Sequence, residues 1–129
     1  MEIKFNNRDP VYVQVVRYFK EQIVKGIFEP GQQIPSRREL ASLLKINPNT
    51  AQRAYKEMED ERLIKTESNQ PSRITSDETK IKEVREELIR EAVEHFANSI
   101  QSINVPLDEA ISKVKEHYES LNEDKEGNQ

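Results

Sequence analysis

Apolar residues early in the chain recur at helical steps. Tyr12, Val15, Val16, Phe19 and Ile23 are three or four positions apart, which gathers them on one helix face and predicts a first helix over roughly 10–25. Asp9-Pro10 opens it and Gly26 stops it. Beyond a Pro30-Gly31 turn, Ser36-Arg37-Arg38-Glu39 has the form of a capping box. In that motif the serine hydroxyl accepts from the glutamate amide while the glutamate side chain reaches back. It predicts a short helix over 37–44, with Leu40, Ala41 and Leu44 inward and Leu43 beside them. Asn47 is a good N-cap, and Pro48 sits where a helix has no use for its missing N–H; they open a third helix over 48–61. Here Ala51, Ala54, Tyr55 and Met58 form one face, and Asn49, Gln52, Arg53 and Lys56 repeat the spacing on the other. One face packs and the other is free to bind.

The period then changes. Leu63 to Thr66 and Arg73 to Thr75 are short β-prone runs on either side of Ser68-Asn69-Gln70-Pro71, the pattern of a small hairpin in which Asn69 supplies a left-handed turn residue. After Ser76-Asp77 a helical pattern returns and persists. Ile81, Val84, Leu88, Ala92, Phe96, Ile100 and Ile103 step by three or four, residues 104–107 break the run, and Ile111, Val114, Tyr118 and Leu121 mark one face of a last helix. From Asn122 the sequence is charged and reads as a frayed tail. The expected fold is mainly α with a small β-hairpin: a winged helix-turn-helix over 1–75, then a C-terminal helical hairpin over 76–129 for dimerisation.

Charge sharpens this division. The chain carries a net charge of −4, which argues against a phosphate-rich partner until its distribution is counted. Residues 1–75 hold 13 Lys and Arg against 10 Asp and Glu, whereas 76–129 hold 7 against 14. From Arg37 to Lys56 five basic residues face one acidic residue, Glu39. There is no cysteine, hence no thiol nucleophile or thiolate metal site, and the distant His95 and His117 read as solvated helix surface. No cofactor, phosphate-cradling glycine loop or paired nucleophile and base is legible, so an enzyme is not expected. No apolar run approaches the roughly 18 residues of a membrane span, and no secretory apolar core is present; the expectation is a cytoplasmic protein without a membrane partner.

A capped short helix, a turn and a capped helix with a polar outer face form the order of a helix-turn-helix. Its second helix would enter the major groove of double-stranded DNA. There Asn and Gln can make paired bonds to adenine, and Arg to guanine; Asn49, Gln52 and Arg53 are the candidate base readers, with Lys56 a phosphate contact. Arg37 and Arg38 oppose the macrodipole in the first turn of their helix, a local cost that points to phosphates as partners. Ser36, Asn47 and Thr50 stand near the two helix N-termini, which attract anions, and Arg73 is the candidate contact from the wing. Pairing of the arginines with neighbouring carboxylates such as Glu39 is the alternative for Arg37 and Arg38.

The run Gly26-Ile27-Phe28-Glu29-Pro30-Gly31, followed by Ile34-Pro35-Ser36-Arg37-Arg38-Glu39-Leu40-Ala41, closely resembles the N-terminal signature of GntR-family regulators. Asn47-Pro48-Asn49-Thr50 with Arg53-Ala54-Tyr55 is similar to the YtrA-type branch. The resemblance covers roughly residues 8–75 and implies DNA contacts at Arg38, Asn49, Thr50 and Arg53. It also implies repression, typically of a membrane-transporter operon. The chain departs from the family pattern at Arg62, where a glycine is usual, and at Ser68 to Ser72, where the wing tip is usually glycine-rich.

An amphipathic C-terminal pair would bury its stripes against the same pair from a second chain. Ile81, Val84, Leu88, Ala92, Phe96, Ile100, Ile111, Val114 and Tyr118 are therefore the expected homodimer interface, the alternative being a hairpin that folds back on its own winged helix. Such a dimer would read an inverted-repeat operator. No small-molecule effector or its pocket can be read from these residues. The competing reading is an interaction or scaffold module in which the winged helix binds protein, and it predicts no salt-dependent affinity for duplex DNA.

Overall fold

The computed structural model describes residues 1–127. The order is α1 (Val11–Val24), α2 (Arg37–Leu44), α3 (Pro48–Asp60), β1 (Ile64–Lys65), β2 (Arg73–Ile74), α4 (Glu78–Ser102) and α5 (Leu107–Gly127). The chain divides into two compact units, residues 1–88 and 89–129, with the boundary inside α4.

In the first unit each helix begins and ends for a local reason. Pro10 precedes α1 without a side-chain cap. Gln14 instead reaches back to bond both backbone groups of Asn6 and the carbonyl of Asp9, tying down the chain ahead of the helix. Gly26 leaves α1 at φ 78°, a conformation open to glycine at no steric cost. The Ser36 hydroxyl accepts from the Glu39 amide at 3.1 Å, and the Glu39 carboxylate accepts from the Ser36 amide at 3.3 Å. The capping box expected from the sequence is formed. α3 starts on Asn47, whose side chain accepts from the Asn49 amide at 2.8 Å, with Pro48 in the first turn.

The three helices enclose one core. Phe19, Leu40, Tyr55, Met58, Leu63 and Ile74 are fully buried there, with Phe19 edge-on to Phe28 and Tyr55. The buried Tyr55 hydroxyl donates to the Pro35 carbonyl, and burial holds its phenol far above the ordinary value. Lys20 of α1 bonds Glu61 at 3.1 Å and Glu87 at 2.9 Å. Burial pulls its pKa down, but the two carboxylates outweigh that and the ammonium titrates above its usual range.

β1 and β2 pair antiparallel, with Ile64 opposite Ile74 and Lys65 opposite Arg73. A third segment, not anticipated from the pattern, joins them: Gln33 bridges Arg73, and the Ile34 amide donates to the Ser72 carbonyl. Asn69 turns the wing tip at φ 58°, as its chemistry predicts, and Arg62 holds φ 62° at the end of α3.

The first unit extends further along the chain than residue 75. Val84, expected at a dimer interface, is 1% exposed within this unit's core, and Ile81 and Leu88 pack against the same cluster. The first turns of α4 complete the winged helix, because the hairpin and three helices leave an apolar face that this stripe covers. Val84 is thus corrected from interface to core, and Ile81 and Leu88 spend part of their surface the same way.

The second unit contrasts with it. Ala110 is the one buried side chain among its described residues, at 2% exposed. Val93, Phe96, Ile103, Leu107, Ile111, Val114, Tyr118 and Leu121 are all exposed, Leu107 by 74%. Ala92 is exposed as well, and Ile100 is half-buried. α5 continues to Gly127, so the charged segment from Asn122 is helical over the described residues; residues 128 and 129 lie outside them.

Candidate nucleic-acid interface

Packing Ala51, Ala54, Tyr55 and Met58 inward turns the opposite face of α3 to solvent. Asn49, Gln52, Arg53 and Lys56 are exposed there, and Thr50 is half-buried. Charge is graded along this helix. Arg53 and Lys56 precede Glu57, Glu59, Asp60 and Glu61, so phosphates are favoured near the N-terminal half and repelled from the C-terminal end. In a recognition helix the N-terminal residues meet the base edges, and the gradient fits that polarity.

The two consecutive arginines of α2 part company. Arg37 turns inward: its guanidinium pairs with Glu59 of α3 and lies 5.7 Å from the centroid of the Tyr55 ring. Its Nε is buried without a partner among the described residues. Arg37 is thus joined to α3 through a carboxylate, the arrangement that stands as the alternative to a phosphate contact, with its side chain still 37% exposed. The partner is Glu59 and not the neighbouring Glu39, which is committed to the capping box. Arg38 is exposed and makes no ion pair or hydrogen bond among the described residues.

Other candidates carry structural duties too. Ser36 and Asn47 cap their helices through side-chain oxygens, although both residues remain exposed. Lys56 stands 3.7 Å from Asp60, an exposed pair of little strength that leaves the ammonium available. Arg73 donates to the Gly31 carbonyl at 3.2 Å, and it lines a hollow together with Lys65, Thr75 and Lys80.

Asn49, Thr50 and Arg53 come together in an open groove completed by Pro10, Val11 and Tyr12 from the start of α1. Tyr12 reads from sequence as one more apolar helical position. In the structure its hydroxyl accepts from Arg53 Nη2 at 3.1 Å, and Arg53 Cζ lies 3.9 Å from its ring centroid. The signal available in sequence was its polar tip in a first turn, where a tyrosine can bury its ring edge and keep its oxygen wet.

Comparison with known proteins agrees with this architecture. The family described as "Bacterial regulatory proteins, gntR family" matches residues 11–74. The HTH-type transcriptional repressor YtrA of Bacillus subtilis (strain 168) is 32% identical over 90% of this chain and 90% of its own. The HTH-type transcriptional regulator YhcF of the same organism is 30% identical over 89% and 95%. Among solved structures, a GntR family transcriptional regulator from Listeria monocytogenes superposes with a TM-score of 0.82 at 32% identity, covering 87% of this chain and 98% of that one. These relatives are transcriptional regulators, and no helix among the described residues is long and apolar enough to cross a membrane. With the family match on residues 11–74 and relatives that align over about nine-tenths of the chain, this chain belongs to the GntR family of transcriptional regulators, in its YtrA-like branch, with an N-terminal DNA-binding domain.

Proposed function

We propose that this regulator is a repressor that binds an inverted-repeat operator as a homodimer. The observation that carries the reading is the exposed polar face of α3, with Asn49, Gln52, Arg53 and Lys56 in one stripe. Asn49, Gln52 and Arg53 read base edges, while Arg38, Lys56 and the Thr50 hydroxyl hold phosphates. The capped N-termini at Ser36 and Asn47 add anion-favouring dipoles. Arg73 is the wing contact, provided its guanidinium leaves the Gly31 carbonyl.

The second unit supports the dimer. Two helices with one buried side chain between them do not bury enough to be held by their own packing, since helices in proteins draw most of their stability from an apolar face in contact. A second copy supplies the missing surface against Ala92, Phe96, Ile100, Ile111, Val114 and Tyr118. Repression follows from the likeness to YtrA, and that branch resemblance points to an operon for a membrane transporter.

The test is selection of bound duplexes from a random library, followed by titration of the best site at several salt concentrations. An inverted repeat whose affinity falls steeply with salt is the expected result. Failure to enrich any sequence refutes the operator reading and favours a winged helix that binds protein. Repression is checked separately with a reporter on the native promoter: expression that falls on deletion of this chain overturns it.

A further inference from the structure

Resting on the reading of Arg53 as a base reader, we propose that Tyr12 is its positioning residue, holding the guanidinium in a DNA-ready pose before any duplex arrives. Arg53 projects from the exposed face of α3 and has no carboxylate partner among the described residues. A long side chain in that situation would sample many rotamers and lose that freedom on binding. Two contacts of different kinds restrain it. Nη2 donates to the Tyr12 hydroxyl at 3.1 Å, and Cζ sits 3.9 Å from the ring centroid, within the range at which a guanidinium is attracted to the ring's negative face.

The pairing is suited to positioning rather than to neutralisation. A carboxylate in the place of Tyr12 would cancel the charge and repel phosphate. A tyrosine ring leaves the charge intact. A guanidinium has five N–H donors in a planar fork, and one of them is used here. Those that remain are available to the two acceptors on a guanine edge. Tyr12 itself is restrained, because it is half-buried and packs against the core of the first unit. The backbone that carries it is held in turn by Gln14, bonded to Asn6 and Asp9. The groove shared with Asn49 and Thr50 therefore gives one reading side chain a rigid floor, and α1 acquires a part in specificity without itself touching a base.

The experiment uses the full chain and its best selected duplex, with the three single-base variants at the step where Arg53→Ala removes discrimination. Tyr12→Leu is expected to lower affinity for the best duplex by about three- to tenfold, the cost of immobilising one flexible side chain, and to narrow discrimination at that step alone. Tyr12→Phe keeps the ring and is expected to fall between Tyr12→Leu and the parent. In the Arg53→Ala background neither Tyr12 variant should have a further effect, because the residue it positions is gone. Without DNA, ring-current shifts on the Arg53 δ-methylene protons should persist in Tyr12→Phe and vanish in Tyr12→Leu.

Equal losses on all duplexes, additive with Arg53→Ala, would make Tyr12 a phosphate contact or a merely structural residue and overturn the proposal. So would Tyr12 variants that discriminate like the parent, or absence of the ring-current shift in the parent. If Tyr12→Leu does not fold, the Tyr12→Phe cycle and the parent's spectrum decide. Equal loss on every sequence for Arg53→Ala removes the base-reading role itself and this proposal with it, an outcome distinct from Tyr12 failing while Arg53 still discriminates.

Discussion

Arg37 and Arg38 are adjacent and chemically identical, yet their environments assign them different work. The charge of Arg37 is met by Glu59 and its guanidinium lies near the Tyr55 ring, whereas Arg38 is exposed without a partner among the described residues. Arg38→Ala is expected to weaken binding to all duplexes alike and to reduce the slope of log affinity against log salt by about 1, with no change in melting temperature. Arg37→Ala should do the reverse, costing stability by about 1 kcal/mol for a half-exposed ion pair with a ring contact and leaving the salt slope nearly unchanged. Thermal melts and salt titrations of the two variants separate the roles; equal slopes lost from both would return Arg37 to the phosphate contacts. Arg62 raises a different residue-scale question, because it holds φ 62° where a side chain costs roughly 1–2 kcal/mol over the right-handed region. Glycine removes that penalty but loses more chain entropy on folding, so Arg62→Gly is expected to stabilise by a net of about 0.5–1 kcal/mol. Chemical denaturation reads the difference, and a destabilised variant would mean that the arginine side chain contributes more than its backbone costs.

Element by element, what could be read from sequence was whatever local chemistry decides. The capping box at Ser36, the Asn47-Pro48 start and the Asn69 turn each rest on side chains within a few residues, and each is formed as expected. The Gln33 bridge to Arg73 is not of that kind: one paired residue leaves no period in the sequence, and its partner is distant along the chain. The Arg37 to Glu59 pair was hidden for the same reason, since nothing nearby distinguishes Arg37 from Arg38. α4 is the instructive failure. A three-and-four spacing records that a stripe is apolar and says nothing of what covers it, so Ile81, Val84 and Leu88 looked continuous with Phe96 and Ile100. The structure divides the stripe, with Val84 at 1% exposed in the core of the first unit and Phe96 exposed in the second. Val84→Ala is accordingly expected to cost about 2 kcal/mol of winged-helix stability as a buried truncation. It should leave self-association intact at temperatures where the chain stays folded. Sedimentation of Val84→Ala as a monomer while fully folded would restore Val84 to the interface.

For the whole molecule, the contrast between a well-packed first unit and a second unit with one buried side chain bears on how stability and DNA binding are linked. Large exposed apolar patches mark interaction surfaces, and here they occupy α5 as well as the later turns of α4. If a second copy covers them, folding of the second unit is coupled to association, and its melting temperature must rise with protein concentration by mass action. Phe96→Asp places a charge in that surface and is expected to abolish the concentration dependence while leaving the melt of residues 1–88 in place. The consequence for DNA follows from geometry. A dimer holds two recognition helices for two half-sites, and linking two binding events makes the second intramolecular, which raises overall affinity by about 10²–10⁴. Phe96→Asp should therefore lose about that much affinity for the inverted repeat and almost none for an isolated half-site. A variant that stays dimeric by sedimentation, or that loses the same factor on both duplexes, would show that the exposed faces of α4 and α5 serve something other than pairing of this chain with itself.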